Sequence, residues 1–189
     1  EQLKSVYKIL SDDMDAAVAY SAEHSNPFAH RTVVRTLFSL IEGLAFQLRQ
    51  VTVASLAPHA GSGNLTIAEL VLLREERYIL NAKGEPEASQ NFQNFLPNLL
   101  FTIRSYGKNH GATFRADTSA RGWEAMRVAV NIRNRITHPK SVADLTLSNQ
   151  DQMHLIEAAA WWKKTLLEMF DACDRADAEW IAKSQNGGA

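Results

Sequence analysis

Apolar residues recur at three- and four-residue intervals along nearly the whole chain, and this spacing limits what it can fold into more than any other feature. Leu3, Val6, Tyr7, Leu10, Met14, Ala17 and Val18 predict an amphipathic helix over residues 2–24. Asn26 followed by Pro27 is a cap and first-turn pair for a second helix. That helix carries Val34, Leu37, Ile41, Leu44, Ala45 and Leu48 on one face and runs to about Leu56. Pro58 and the run His59 to Asn64 read as a loop. Thr66 with Glu69 forms a capping-box pair, predicting a helix from there to about Leu80. Residues 81–90, polar with Gly84 and Pro86, read as an exposed loop. Pro97 suits the first turn of a helix that reaches about Lys108 and ends at His110-Gly111. Asp117, Thr118 or Ser119 can cap the next helix, which runs to about Thr137, and residues 139–147 are a loop. Ser148 with Asp151 opens the last helix, which carries Trp161 and Trp162 and reaches about Lys183.

There is no internal repeat, no sustained heptad and no convincing strand. The expected fold is all-α: one compact helical bundle of five to seven helices, a single domain over residues 1–189 with a frayed tail at 185–189.

Composition narrows the function. Apolar residues make up 46% of the 189, enough for a sizeable core and too many for a disordered chain. A formal net charge of −1 excludes a protein that coats nucleic acid through its overall field. The distribution is uneven, however. From Arg115 to Lys140 six basic residues stand against Asp117 and Glu124, whereas from Asp144 onward eight acidic residues stand against four basic ones. Such a segment fits local binding of an anion. Cys173 is the sole cysteine, which rules out an internal disulfide and any cysteine-based zinc site. No signal peptide or long uncharged apolar run is present, so a soluble, cytoplasmic protein without a membrane partner is expected. The chain begins with Glu1 and not Met, which leaves room for residues ahead of it.

The basic segment ends in Arg133-Asn134-Arg135-Ile136-Thr137-His138, with Pro139 next. Asn134 and His138 are four residues apart and share a helix face, which Arg127 and Asn131 extend backwards as a polar stripe. Ala125, Val128, Ala129, Ile132 and Ile136 form the apolar side. Arg133 falls at the edge of that side, where a permanent cation needs a carboxylate, a phosphate or water. A proline pushes the residue before it out of the α region, so the helix should stop near His138. On structural grounds alone these residues can be a helix end whose basic side chains meet the last carbonyls and the dipole. On chemical grounds the set suits RNA phosphodiester cleavage. An imidazole moves protons near neutral pH, a guanidinium fork stabilises phosphate charge, and an amide orients either. Arg135 and Lys140, the flanking cations, are then candidates for holding substrate.

RNRITH also resembles the signature of the HEPN superfamily: arginine, a polar residue that is often Asn, three more residues and histidine. The resemblance implies an α-helical domain that is usually a homodimer. In many members it is a metal-independent endoribonuclease with no cofactor. It further implies that Arg133, Asn134 and His138 are catalytic and that His138 and its symmetry mate share one site. Cleavage would leave a 2′,3′-cyclic phosphate and a 5′-OH. A toxin–antitoxin or phage-defence role, with an antitoxin or regulatory protein as partner, rests on the resemblance alone. In one branch a tyrosine two residues after the histidine is modified by a partner enzyme; here that position is Lys140.

Glu42, in the second helix beside Gly43, can neutralise and hold Arg133. Equally, it can form an exposed ion pair with Arg35 or Arg49, since Arg31, Arg35, Glu42 and Arg49 read as a solvated flank. His24, His30, His59, His110 and His154 show no ligand spacing and read as caps, loop or surface groups. Trp161 and Trp162 read as packing. The rival to an endoribonuclease is a catalytically silent HEPN module that binds RNA or a nucleotide, or scaffolds a partner. A purely structural helical bundle comes third.

Overall fold

The computed structural model describes residues 2–56 and 64–186. Its elements are α1 (Gln2–Glu23), α2 (Pro27–Leu56), α3 (Ile67–Leu73), β1 (Glu76–Leu80), β2 (Pro86–Gln90), α4 (Phe95–Asn109), α5 (Arg121–Thr137) and α6 (Asn149–Asn186). A 3-10 turn, Val142–Leu145, sits between α5 and α6. Among the described residues the fold is helical apart from one two-stranded sheet. The loop expected at Pro58 to Gly63, with His59, lies outside the described residues, as do the last three residues of the expected tail. The helix before them continues to Asn186.

Local chemistry accounts for the starts of α2, α3 and α6. Asn26 Oδ1 accepts from Ala29 N at 3.0 Å, satisfying one of the free amides at the start of α2. Thr66 and Glu69 close a reciprocal capping box on α3. Ser148 and Asp151 do the same for α6, with Ser148 N donating to Asp151 Oδ2 at 2.7 Å and Asp151 N to Ser148 Oγ at 3.1 Å. The start of α5 differs from expectation. Its cap is Ala120, with no side-chain hydrogen bond. Asp117 instead takes both donors of Ser119, and those bonds hold its carboxyl below the usual carboxylate range.

The chain groups into two compact units, with the unit boundaries falling inside α2 and α6. The first comprises residues 1–47 and 117–166. Its core draws Val34, Leu37, Phe38, Ile41 and Leu44 from α2, Met126, Ala129, Ile132 and Ile136 from α5, and Leu155, Ala158, Trp161 and Trp162 from α6. Two glycines set the close approaches. A Cβ on Gly43 would lie 2.6 Å from Leu10 Cδ1, so α1 packs directly on α2 there. A Cβ on Gly122 would lie 2.6 Å from Trp161 Cβ, so α5 meets α6 there. The Trp161 indole also stacks, tilted, on Trp123 and donates to the Asp117 carbonyl at 2.9 Å.

The second unit comprises residues 48–116 and 167–189. Leu73, Leu99, Ile103, Tyr106, Met169 and Cys173 are buried in it. Burial pushes the Cys173 thiol up to about 11, with Asp177 and Asp174 adding to the effect. The helix expected to reach Leu80 stops at Leu73, and residues 76–90 form a hairpin in place of a helix end and a loop. Its strands pair antiparallel from Glu76 opposite Gln90 to Leu80 opposite Pro86. The cause is at Glu75, which adopts the left-handed conformation at φ 54°. Its carboxylate is anchored there by Arg49 and by Asn98 Nδ2 at 2.9 Å. Past that point Tyr78 and Ile79 favour a strand, and Gly84, at φ 77°, supplies the residue the turn requires.

Candidate functional site

The apolar face of α5 holds the helix against the first unit's core, through Ala125, Met126, Ala129, Ile132 and Ile136. Arg127, Asn131, Asn134 and His138 are consequently exposed along the opposite side. The helix ends at Thr137. His138 leaves it at φ −127°, ψ 62°, while its amide still donates to the Asn134 carbonyl at 2.9 Å. The imidazole is thereby presented to solvent at the break that Pro139 imposes.

Arg133 is the half-buried member. Its Nη2 donates to Glu42 of α2, its Nη1 donates to Asn134 Oδ1 at 3.0 Å, and its guanidinium carbon sits 5.8 Å from the centre of the Phe38 ring. Phe38 and Glu42 are one turn apart on α2, so one helix face offers Arg133 both a π surface and a carboxylate. The side chains remain 30% and 39% exposed, so the pair is oriented but reachable. Thr137 Oγ1 donates to the Arg133 carbonyl at 2.8 Å, tying down the last turn.

Not every candidate is at this site. Arg135 points to the loop before α6. Its Nη1 donates to the carbonyls of Asp144 (2.9 Å) and Thr146 (2.7 Å), and its Nη2 lies 2.8 Å from Asp151 Oδ2. Three acceptors within the protein engage its fork. Partial burial opposes ionisation of Asp151, yet hydrogen bonds from Ser148 and Arg135 hold its carboxyl below the usual value. The carboxyl of Asp144 is likewise lowered, first by the Lys140 amide and then by that of Ser141. The Lys140 side chain is exposed. Arg127 makes an exposed ion pair with Glu124 at 2.9 Å. The charged flank of α2 is more engaged than its solvated reading implied: Arg31 donates to the Leu145 carbonyl at 3.2 Å, and Arg49 holds Glu75.

Two features escaped the sequence reading. An apolar cavity of about 520 Å³ in the first unit is lined by Met14, Val18, His30, Leu37, Leu155 and Ile156. In the second unit His110 Nδ1 lies 3.1 Å from Asp177 Oδ2, a pairing across 67 positions that no local spacing reveals. Among the described residues, no group of three or more His, Cys, Asp or Glu is arranged to hold a metal ion, and no helix is long and apolar enough to cross a membrane. No family model, no curated protein and no solved structure matches the chain.

Proposed function

We propose that the protein is a HEPN-type endoribonuclease acting through Arg133, Asn134 and His138. The observation that carries this reading is the Arg133 guanidinium held between Glu42 and Phe38 while Asn134 and His138 stay exposed on the same helix end. Within the reading, the guanidinium binds the scissile phosphate and stabilises the charge that grows on its oxygens. One imidazole takes the proton of the ribose 2′-OH as that oxygen attacks phosphorus. The bond to the 5′-oxygen breaks, a second imidazole returns a proton to it, and a 2′,3′-cyclic phosphate and a 5′-OH result. A single His138 cannot serve both ends, so the reading requires a homodimer with two copies of the exposed α5 face sharing one cleft. The chemistry calls on no metal. A cytoplasmic toxin or phage-defence effector restrained by an antitoxin is the setting this activity suits.

A second reading has its own observation. Glu42 neutralises Arg133, and Asn134 takes a second of its five N–H donors, so the fork is partly occupied before any phosphate arrives. That favours a catalytically silent module that binds RNA or a nucleotide, or scaffolds a partner. Incubating the purified protein with total RNA, with and without EDTA, beside His138→Ala decides between them. Cleavage that survives EDTA and vanishes in the variant supports the nuclease. Binding without cleavage supports the silent module.

A further inference from the structure

The end of α4 and the last turns of α6, both in the second unit, border a cavity of about 410 Å³ that the proposed nuclease site does not use. Asn64, Asn109, His110, Asp177, Trp180 and Lys183 lie along it. His110 is fixed on two sides, by Asp177 at 3.1 Å and by the Tyr106 ring, whose centre is 4.8 Å from its own. A carboxylate only accepts, so Nδ1 carries a proton toward Asp177, and Nε2 is left facing the cavity, an acceptor in the neutral form of the ring. Asn109 Nδ2 donates one hydrogen to Ser55 Oγ at 2.9 Å, which leaves the amide oxygen and the second amide hydrogen to offer. Asn64 adds an amide that both donates and accepts.

On α6, Asp177, Trp180 and Lys183 follow one another at three-residue spacing along one face. The Trp180 side chain is 71% exposed, an indole surface with no core to justify it. The Lys183 ammonium lies 3.9 Å from Glu179 in a fully solvated pair, and so is weakly held. The cavity thus combines a π platform, amide and ring-edge polar groups, and the cation of Lys183 beside the carboxylates of Asp177 and Glu179. A bare anion would leave the indole unused, and an apolar ligand would strand the acceptors without donors.

We propose that this cavity binds an amino-bearing nucleobase attached to a phosphate. The base stacks on Trp180, its amino group donates to His110 Nε2 or the Asn109 amide oxygen, and Lys183 meets the phosphate. Two sources share that chemistry, a free nucleotide and a base within a single strand.

The test is calorimetric titration of the full chain with AMP, UMP, adenosine and a pentadeoxyadenylate, which lacks a 2′-OH and so reports binding whether or not the protein cleaves RNA. AMP should bind saturably and more tightly than UMP. Trp180→Ala and His110→Ala should each weaken AMP by about tenfold, while Trp180→Phe retains most of the affinity. Lys183→Ala should weaken AMP but leave adenosine unchanged. Tighter binding of the oligonucleotide than of AMP assigns a strand as the source, and equal binding assigns a free nucleotide; either outcome supports the site. Circular dichroism verifies that the variants fold. Absence of saturable binding by AMP and by the oligonucleotide up to about 10 mM, or unchanged affinity in folded Trp180→Ala, overturns it.

Discussion

Arg133 on α5 and Glu42 on α2 form an ion pair across 91 positions of the chain, with Phe38 under the same guanidinium. The arrangement fixes where the cation points without burying it. Glu42→Gln keeps a hydrogen-bond acceptor but removes the neutralising charge. RNA cleavage should fall at least about tenfold, whereas stability should change by no more than about 1 kcal/mol, because both side chains remain a third exposed and solvent screens them. Single-turnover cleavage and thermal melts check this. Full activity in the variant would return Glu42 to a merely structural role.

His138→Ala should lower cleavage by about 10²–10⁴-fold, the usual worth of a positioned acid or base, and barely alter the melting temperature, since the ring is exposed. Arg133→Lys should restore only part of what Arg133→Ala loses, because an ammonium cannot reproduce the fork. An RNA carrying 2′-O-methyl at the scission site should resist the wild type. If His138→Ala cuts as fast as wild type, the proposed chemistry is wrong.

Arg135 should behave in the opposite way, as a residue of stability. Arg135→Ala deprives the Asp144 and Thr146 carbonyls of their donor and leaves Asp151 without its cation, at a cost of about 1–3 kcal/mol. The carboxyl of Asp151 is lowered in the folded state, so its contribution is complete above the unfolded value of about 4 and drains away as pH falls through the lower folded one. Urea denaturation from pH 5 downward should therefore show a shallower acid loss in Asp151→Asn than in wild type. Parallel curves would remove Asp151 from the account.

Gly122→Ala places a methyl 2.6 Å from Trp161 Cβ, an atom next to the backbone that cannot swing aside. Overpacking should outweigh the better helix propensity and cost about 1–3 kcal/mol, a fall of roughly 2–10 °C in melting temperature. Gly84→Ala meets no neighbour within 4 Å, so its only penalty is the backbone at φ 77°, about 1 kcal/mol. Hydrogen exchange should quicken in β1 and β2 and nowhere else. An unchanged melting temperature in Gly122→Ala would mean that α5 and α6 can separate there at no cost.

The helices were legible because their signals are local: period, caps at Asn26, Thr66 and Ser148, and the stop at Pro139. The hairpin was not. Tyr78, Ile79 and Leu80 prolong the apolar run of α3, and what turns the chain at Glu75 is Arg49 and Asn98, which lie 26 and 23 positions away. At the site the same division holds. The position of Arg133 at the edge of the apolar face announced its need for a partner, whereas nothing in the sequence distinguishes Arg135, turned toward the α6 loop, from its neighbour. Nothing in the sequence marks Phe38 as the ring beneath that cation, a contact made only in the fold. His110 and Asp177 required the fold to meet.

Cys173 has a use outside any of these roles. As the only thiol in the chain, buried and held protonated with its value near 11, it resists alkylation for as long as the second unit stays closed. Each opening of that unit exposes a single reactive sulfur, so the rate of labelling by a thiol reagent is a clock for its breathing. A nucleotide that docks beside Trp180 would slow that clock, giving a readout of occupancy that needs neither cleavage nor an attached dye.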